Sequence, residues 1–226
     1  MKKYYEAYED RYKTVHNEKG LAWAGETPSF VLKDWLIKYN INEHNKILEI
    51  GCGEGQNARF LQKENFNVLA SDISPEAIRW CKQKAKQENI DENKYFILDI
   101  VDNNLQDKYD CIYSISTIHM LVVDSDRKAF WDFIYNHLND DGIAIVTSMG
   151  NGEFERHNSD ITKAFDLDER EFNNEKIKVA TTTCRIVNWE GILKEIDNSN
   201  LQVLEKFISE DIAGFNQSMI TILKRK

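Results

Sequence analysis

The chain has 226 residues, of which 42% are hydrophobic and 30% are charged, and its formal net charge is −9 at pH 7. This composition is typical of a single globular domain, and no apolar run approaches the roughly 20 residues that a membrane-spanning helix needs. The acidic balance argues against a nucleic-acid substrate, because proteins that bind nucleic acid use basic patches to neutralise phosphates.

The start of the chain and its cysteines indicate where the protein works. The first residues, MKKYYEAYEDRYK, lack the apolar core of a signal peptide. The cysteines at 52, 81, 111 and 184 form no C-x-x-C pair, which favours reduced thiols in a reducing compartment. We therefore expect a cytoplasmic protein without a disulfide framework. Glu153, Glu155 and His157 match no common metal-ligand spacing, so no metal site is predicted.

Residues 1–44 are predicted to form an N-terminal helical cap. Four apolar residues share one face of a first helix: Tyr4, Tyr8, Tyr12 and Val15. Trp23 follows in a loop, where it is either a core plug or a cover over a ligand. Thr27 and Pro28 have the residue types of a helix N-cap and first turn, which predicts that a second helix starts there.

A βαβ unit follows. The apolar strand from Ile47 to Ile50 leads into Gly51, Gly53 and Gly55, and a second apolar strand ends on Asp72, 21 residues after Gly51. Glycines let a ligand approach the backbone, and the start of the helix offers free N–H groups. An acid about 20 residues on can accept both hydroxyls of a ribose.

The glycine spacing distinguishes between nucleoside cofactors. Dinucleotide sites use G-x-G-x-x-G, but here the spacing is G-x-G-x-G and Gln56 takes the place of the third glycine. Glu49 brings a negative charge that disfavours a pyrophosphate and suits an ammonium or sulfonium group. The stretch from Glu49 to Gly55 resembles the first motif of the class I S-adenosylmethionine-dependent methyltransferases.

The resemblance continues along the chain. Asp72-Ile73 is similar to the acidic second motif, which holds the ribose hydroxyls, and Phe96–Ile100 to the third-strand motif, whose acid reaches the adenine amino group. The segments 109–114 and 117–121 resemble the fourth-strand motif, with His119 as the one histidine present. The resemblance implies a Rossmann-like, doubly wound α/β fold: a mainly parallel seven-stranded sheet with helices on both faces. It also implies S-adenosylmethionine as cofactor and S-adenosylhomocysteine as product.

The motifs and strand ends imply a set of site residues. The implied cofactor contacts are Glu49, Gly51, Cys52, Gly53, Asn57, Asp72, Ile73, Asp99, Ile100 and Ser116. For Cys52 we expect the backbone rather than the sulfur to matter. His119 is the candidate catalytic base or substrate-orienting group, against a packing role. Tyr12, Trp23 and Arg185 are candidate substrate or lid residues, although a surface arginine is the slightly favoured alternative for Arg185.

The chain after residue 44 is predicted to have three parts. Residues 45–148 form the predicted cofactor-binding core of a single 1–226 domain. Residues 149–187 are mostly polar and weakly periodic, which predicts a substrate lid after strand five with one short helix around Ile161 to Glu169. An added strand is predicted at Thr181 to Val187. Residues 188–226 are predicted to form a helix and two strands, and the resemblance implies that the last strand inserts antiparallel.

Three functions remain open from the sequence. The first is methyl transfer to a small-molecule acceptor by in-line displacement in a closed cleft. The second is methylation of RNA or protein. The third is a cofactor-binding protein without turnover, or an oxidoreductase on a related fold. The acceptor, its reacting atom, the use of a general base and the oligomeric state are left open.

Overall fold

The computed structural model describes residues 2–18, 20–23, 25–158, 160–172 and 175–226. Its strands are β1 (Ile47–Ile50), β2 (Val68–Asp72), β3 (Tyr95–Ile97), β4 (Tyr109–Ser114), β5 (Leu138–Met149), β6 (Arg156–Asn158), β7 (Leu167–Phe172), β8 (Glu175–Ala180), β9 (Cys184–Ile186), β10 (Leu201–Ser209) and β11 (Ser218–Arg225). Its α-helices are α1 (Ala7–Asn17), α2 (Val31–Lys38), α3 (Gln56–Lys63), α4 (Pro75–Gln87), α5 (Asp124–His137) and α6 (Trp189–Asp197).

A seven-stranded sheet in the order β10-β11-β5-β4-β1-β2-β3 forms the centre. The strands β3, β2, β1, β4 and β5 are parallel. Strand β11 pairs antiparallel with both β5 and β10. The predicted Rossmann-like fold and the antiparallel last strand are therefore confirmed.

Helices cover both faces of the sheet. Because side chains alternate along a strand, neighbouring residues of one strand pack against opposite helix layers. Leu48 and Ile50 of β1 pack with Phe130 and Trp131 of α5 in one apolar cluster. Ile47 belongs to the opposite cluster, with residues of α2, α3 and α4. Strands buried on both faces explain the near-continuous apolar runs of β1 and β4. No helix in the described part of the chain has the length and apolarity to cross a membrane.

The helix starts illustrate where local sequence signals hold. Ser74 accepts a hydrogen bond from the Ala77 N–H at 3.0 Å, and Pro75 occupies the first turn of α4, as a capping serine and proline should. The start predicted at Thr27 and Pro28 is wrong, since α2 begins at Val31. Before α2, the Ser29 N–H instead donates a hydrogen bond to the Asn57 Oδ1 at 2.8 Å.

In the segment 149–187, β9 lies within the predicted strand Thr181 to Val187, whereas β6, β7 and β8 stand where a loop and a short helix were predicted. β6 pairs antiparallel with β9, and β7 pairs antiparallel with β8. Only a 3-10 turn at Ile161–Lys163 is helical among the described residues of this segment. Opposite charges face each other across the β7–β8 hairpin, at Glu169 and Lys178 and at Glu171 and Lys176, which favours strand pairing.

Candidate active site

A cavity of about 440 Å³ lies at the carboxyl ends of the parallel strands, where α/β sheets bind ligands. Its walls come from the turns after β1, β2 and β4, the segment after β3, helix α1, and the loop around Gly214. All ten predicted cofactor contacts line it: Glu49, Gly51, Cys52, Gly53, Asn57, Asp72, Ile73, Asp99, Ile100 and Ser116. Four separate elements therefore meet in one space.

The glycine turn exposes bare backbone to this cavity. Gly51 has φ +68°, and a Cβ there would lie 2.3 Å from the Thr117 Oγ1. Gly53 has φ +53°, and its Cβ would lie 2.9 Å from the Tyr12 hydroxyl. Both the left-handed backbone and the lack of space require glycine.

Asp72 is held by two backbone donors. The N–H groups of Gly53 and Ser74 each donate to one of its carboxylate oxygens at 2.9 Å. Burial raises its pKa to about 6, against the lowering effect of those two bonds. A carboxylate has about four lone-pair sites, so two remain for the paired hydroxyls of a ribose.

Glu49 is the most deeply buried acid of the site, with 1% of its surface exposed. The Tyr113 hydroxyl donates to its carboxylate at 3.1 Å. Burial raises its pKa to about 8, while the hydrogen bonds from Tyr113 and Asn57 act in the opposite direction. Glu49 is therefore largely protonated at pH 7, and a cation bound beside it would favour the ionised form.

Asp99 lies after β3 and is tied to the N-terminal segment. It accepts hydrogen bonds from the Lys3 ammonium at 2.7 Å and from the Val101 N–H at 3.0 Å, and the Tyr5 hydroxyl lies 3.3 Å away. This bond with Asp99 raises the pKa of Lys3. The apolar Ile73 and Ile100 also line this part of the cavity.

Ser116, Cys52 and Gln56 complete the cofactor side. Ser116 has φ +56°, a strained value for a residue other than glycine, and its N–H donates to the Thr147 hydroxyl at 2.8 Å. Burial raises the pKa of the Cys52 thiol, so it is not a thiolate. Gln56, which sequence reasoning did not choose, has a buried Oε1 without a partner among the described residues.

His119 lies in the turn after β4 and lines the cavity. It is 4% exposed, and its ring meets the edge of Phe215 with 6.0 Å between centroids. Burial, together with the nearby charge of Arg127, lowers its pKa to about 4. Its Nδ1 has no hydrogen-bond partner among the described residues. The imidazole is thus neutral and has an unused nitrogen.

The cap side of the cavity is aromatic. The Trp23 indole N–H donates to the Tyr12 hydroxyl at 2.9 Å, and Trp23 is 39% exposed. Both residues line the cavity. Arg185 does not, because its guanidinium donates to the Val122 carbonyl at 3.2 Å and pairs with Asp124. A role for Arg185 in contacting a substrate in this cavity is therefore not supported by its position.

A buried histidine of α1 connects the cap to the cofactor turn. His16 Nε2 lies 3.1 Å from Glu54 of the glycine turn, and its Nδ1 lies 2.8 Å from Glu76 of α4. The ring stacks on Trp80 with 4.2 Å between centroids. Sequence reasoning missed His16 because its partners lie 38 and 60 residues further along the chain.

Comparison with known proteins agrees with this geometry. Residues 47–142 match a protein family described as "Methyltransferase domain". Over 140 residues the chain is 26% identical to the malonyl-[acyl-carrier protein] O-methyltransferase of Bacillus anthracis, a match that covers 61% of this chain and 49% of that protein. The chain thus spans about half the length of the curated relatives it matches.

Solved structures share the fold. The CcbJ methyltransferase of Streptomyces caelestis superposes with a TM-score of 0.72 at 12% identity, covering 97% of this chain and 98% of that one. An S-adenosylmethionine-dependent methyltransferase from Clostridium acetobutylicum gives a TM-score of 0.68 at 17% identity, covering 87% and 90%. The fold is Rossmann-like. The family match over residues 47–142, the methyltransferase relatives and these structures together support a class I S-adenosylmethionine-dependent methyltransferase.

Proposed function

We propose that this protein transfers a methyl group from S-adenosylmethionine to a small-molecule acceptor held in the 440 Å³ cavity. The observation that carries the proposal is the meeting of the glycine turn, Asp72, Asp99 and Ser116 with His119 in that one cavity. The first four belong to motifs of the cofactor, and the last is an unpartnered base beside them. A cofactor site and room for an acceptor are thus contiguous.

The residues present fit the cofactor. The bare backbone at Gly53 allows close approach, and Asp72 has acceptor sites left for a ribose. The orphaned Gln56 Oε1 and the nearly neutral Glu49 both gain from a cationic partner with N–H donors. We assign Asp72 to the ribose hydroxyls, Asp99 to the adenine amino group and Glu49 to the positive charge of the methionine portion.

Methyl transfer from a sulfonium needs little covalent chemistry from the protein. When bound, S-adenosylmethionine supplies a methyl group on a positively charged sulfur, ready for in-line displacement. The chain's own residues align the acceptor and exclude water. Trp23 and Tyr12, joined by a hydrogen bond, cover the cap side. His119 Nδ1 can accept a proton or a hydrogen bond from the acceptor, although a pKa of about 4 makes it a weak base.

We also propose that the segment 149–187 is the substrate lid of a single domain. Two contacts support this. The Tyr8 hydroxyl donates to the Thr183 carbonyl at 2.8 Å, and Arg11 donates to the Ala180 carbonyl at 3.2 Å. Helix α1 and the β7–β8 hairpin therefore meet, and Arg170 of β7 lines the cavity.

The nature of the acceptor can be tested with radiolabelled cofactor. Purified protein and methyl-tritiated S-adenosylmethionine would be incubated with three fractions from the cells that naturally make the protein: small molecules, RNA and total protein. We expect label in the small-molecule fraction only. The control is Asp132→Asn, an exposed carboxylate of α5 paired with Lys128, which should keep full activity, whereas Asp72→Asn should lose it. Label in RNA or protein would contradict the small-molecule assignment.

A further inference from the structure

Arg11 is a buried cation without a carboxylate partner. It is 3% exposed, and the only hydrogen bond from its guanidinium to a described residue runs from Nη1 to the Ala180 carbonyl. Its Nε is buried and unpartnered among those residues. Burial and the charge of Arg170 lower the pKa of Arg11, and the charge of Asp168 only partly offsets this. A buried charge is costly unless it is paired, so the guanidinium of Arg11 would gain from an anionic partner.

The guanidinium faces the substrate side of the cavity. Its carbon lies 4.4 Å from the centre of the Trp23 ring, and its hydrogen bond goes to β8. The neighbouring α1 residues point elsewhere: Tyr12 comes close to Gly53, and His16 contacts Glu54. Around the axis of α1, therefore, Tyr12 and His16 face the glycine turn, while Arg11 faces the hairpin.

Arg170 brings a second positive charge to the same side. It lines the cavity together with Arg11. Among the described lining residues, these two arginines are the only ones of the arginine or lysine type. Its charge, after burial, is the next largest reason that the pKa of Arg11 falls to about 10. The lining acids lie instead at the glycine turn and strand ends: Glu49, Glu54, Asp72 and Asp99. The charges that line the cavity are therefore separated: the acids lie at the proposed cofactor end and the two arginines at the cap end.

We infer that Arg11, assisted by Arg170, binds a carboxylate of the methyl acceptor, and that the acceptor is an aromatic or otherwise apolar carboxylic acid. The inference rests on the proposed methyl transfer, because it names the substrate class of that same site. A planar guanidinium matches a carboxylate with two parallel hydrogen bonds. Tyr8 and Trp23, with Tyr5 nearby, give the apolar part of such an acceptor an aromatic wall.

The test measures binding to the protein already loaded with S-adenosylhomocysteine. Calorimetric titrations would compare benzoate, phenylacetate and 3-phenylpropionate with the corresponding neutral amides. We expect at least one carboxylate to bind, with its amide weaker by about tenfold or more. The Arg11→Gln variant should bind the carboxylate more weakly by a similar factor, while its affinity for the amide should be unchanged. Arg185→Gln, an arginine outside the cavity, is the matched control and should bind like the natural protein.

Each other outcome has a definite meaning. Equal binding of acids and amides, failure of all three acids to bind, or an Arg11→Gln variant that is folded by circular dichroism and keeps its carboxylate affinity would overturn the inference. So would a loss of S-adenosylhomocysteine affinity alone in that variant, because Arg11 would then hold the cofactor's own carboxylate. Failure of the natural protein to bind S-adenosylhomocysteine is separate, since it would refute the proposed function itself.

Discussion

Replacing Glu49 with glutamine should stabilise the ligand-free protein as the pH rises. Burial raises the pKa of Glu49 from 4.5 to about 8. The folded state therefore binds more protons than the unfolded state between these values, so stability falls as pH rises through this window. Below pH 4.5 both states are protonated and the group has no effect on stability.

The size of the effect follows from the width of the window. One pKa unit corresponds to about 1.4 kcal/mol, so the ionisable Glu49 costs about 3 kcal/mol at pH 7 and less than about 1 kcal/mol at pH 5. Glutamine cannot ionise, and its side-chain oxygen can still accept the hydrogen bond from Tyr113. The stability advantage of Glu49→Gln should therefore grow by about 2.5 kcal/mol from pH 5 to pH 7.

Urea unfolding of both proteins at pH 5, 6 and 7, without cofactor, measures this difference directly. The contributions of the other titrating groups cancel in the difference between the two free energies of unfolding, because both proteins contain those groups. Glu153→Gln, at an exposed position, is the control and should follow the natural protein at every pH. The same Glu49→Gln variant should bind S-adenosylmethionine more weakly, because it cannot provide a charge for the cation. Parallel stability profiles of Glu49→Gln and the natural protein would refute the reasoning.

Three further predictions concern the site. Gly51→Ala should lose cofactor binding and unfold at lower temperature, because its Cβ meets Thr117 and φ is +68°; a calorimetric binding curve and a melting curve check both effects, and an unchanged affinity would contradict them. His16→Ala should weaken S-adenosylhomocysteine binding by about tenfold, because it cuts the link between α1 and the glycine turn; equal affinity by titration would show that the link is only structural. The low pKa of His119, about 4, predicts that His119→Asn removes no titration near pH 6.5 from the pH–rate profile; a limb there that disappears in the variant would show the reverse.

The sequence was most informative where structure is set locally. The apolar run of β1, the glycines and Asp72 lie within 26 residues, from Ile47 to Asp72, and each has a backbone reason for its identity. Strand ends in a parallel sheet necessarily meet at one edge. This edge of the cavity was therefore predictable, and the ten residues expected to contact a cofactor all line it. Their contact with the cofactor stays a prediction.

The cap side of the cavity was not predictable, because its contacts join residues that are far apart in the chain. Arg11 is buried and bonded to the Ala180 carbonyl, 169 residues later in the chain. Strand β7 pairs with β8 with opposite charges facing each other, whereas the polar, weakly periodic sequence predicted a solvated loop. The sequence analysis named Arg185, and not Arg11, as a candidate substrate or lid residue, and only the tertiary structure separates the two arginines.

Calorimetric titration with S-adenosylhomocysteine, S-adenosylmethionine and NAD tests the central claim most directly. We expect micromolar binding of the two adenosyl ligands, no binding of NAD, and loss of adenosyl binding in Asp72→Asn but not in Asp132→Asn. Binding of NAD, or adenosyl binding indifferent to Asp72, would contradict the reading of the glycine turn and of the cavity built around it.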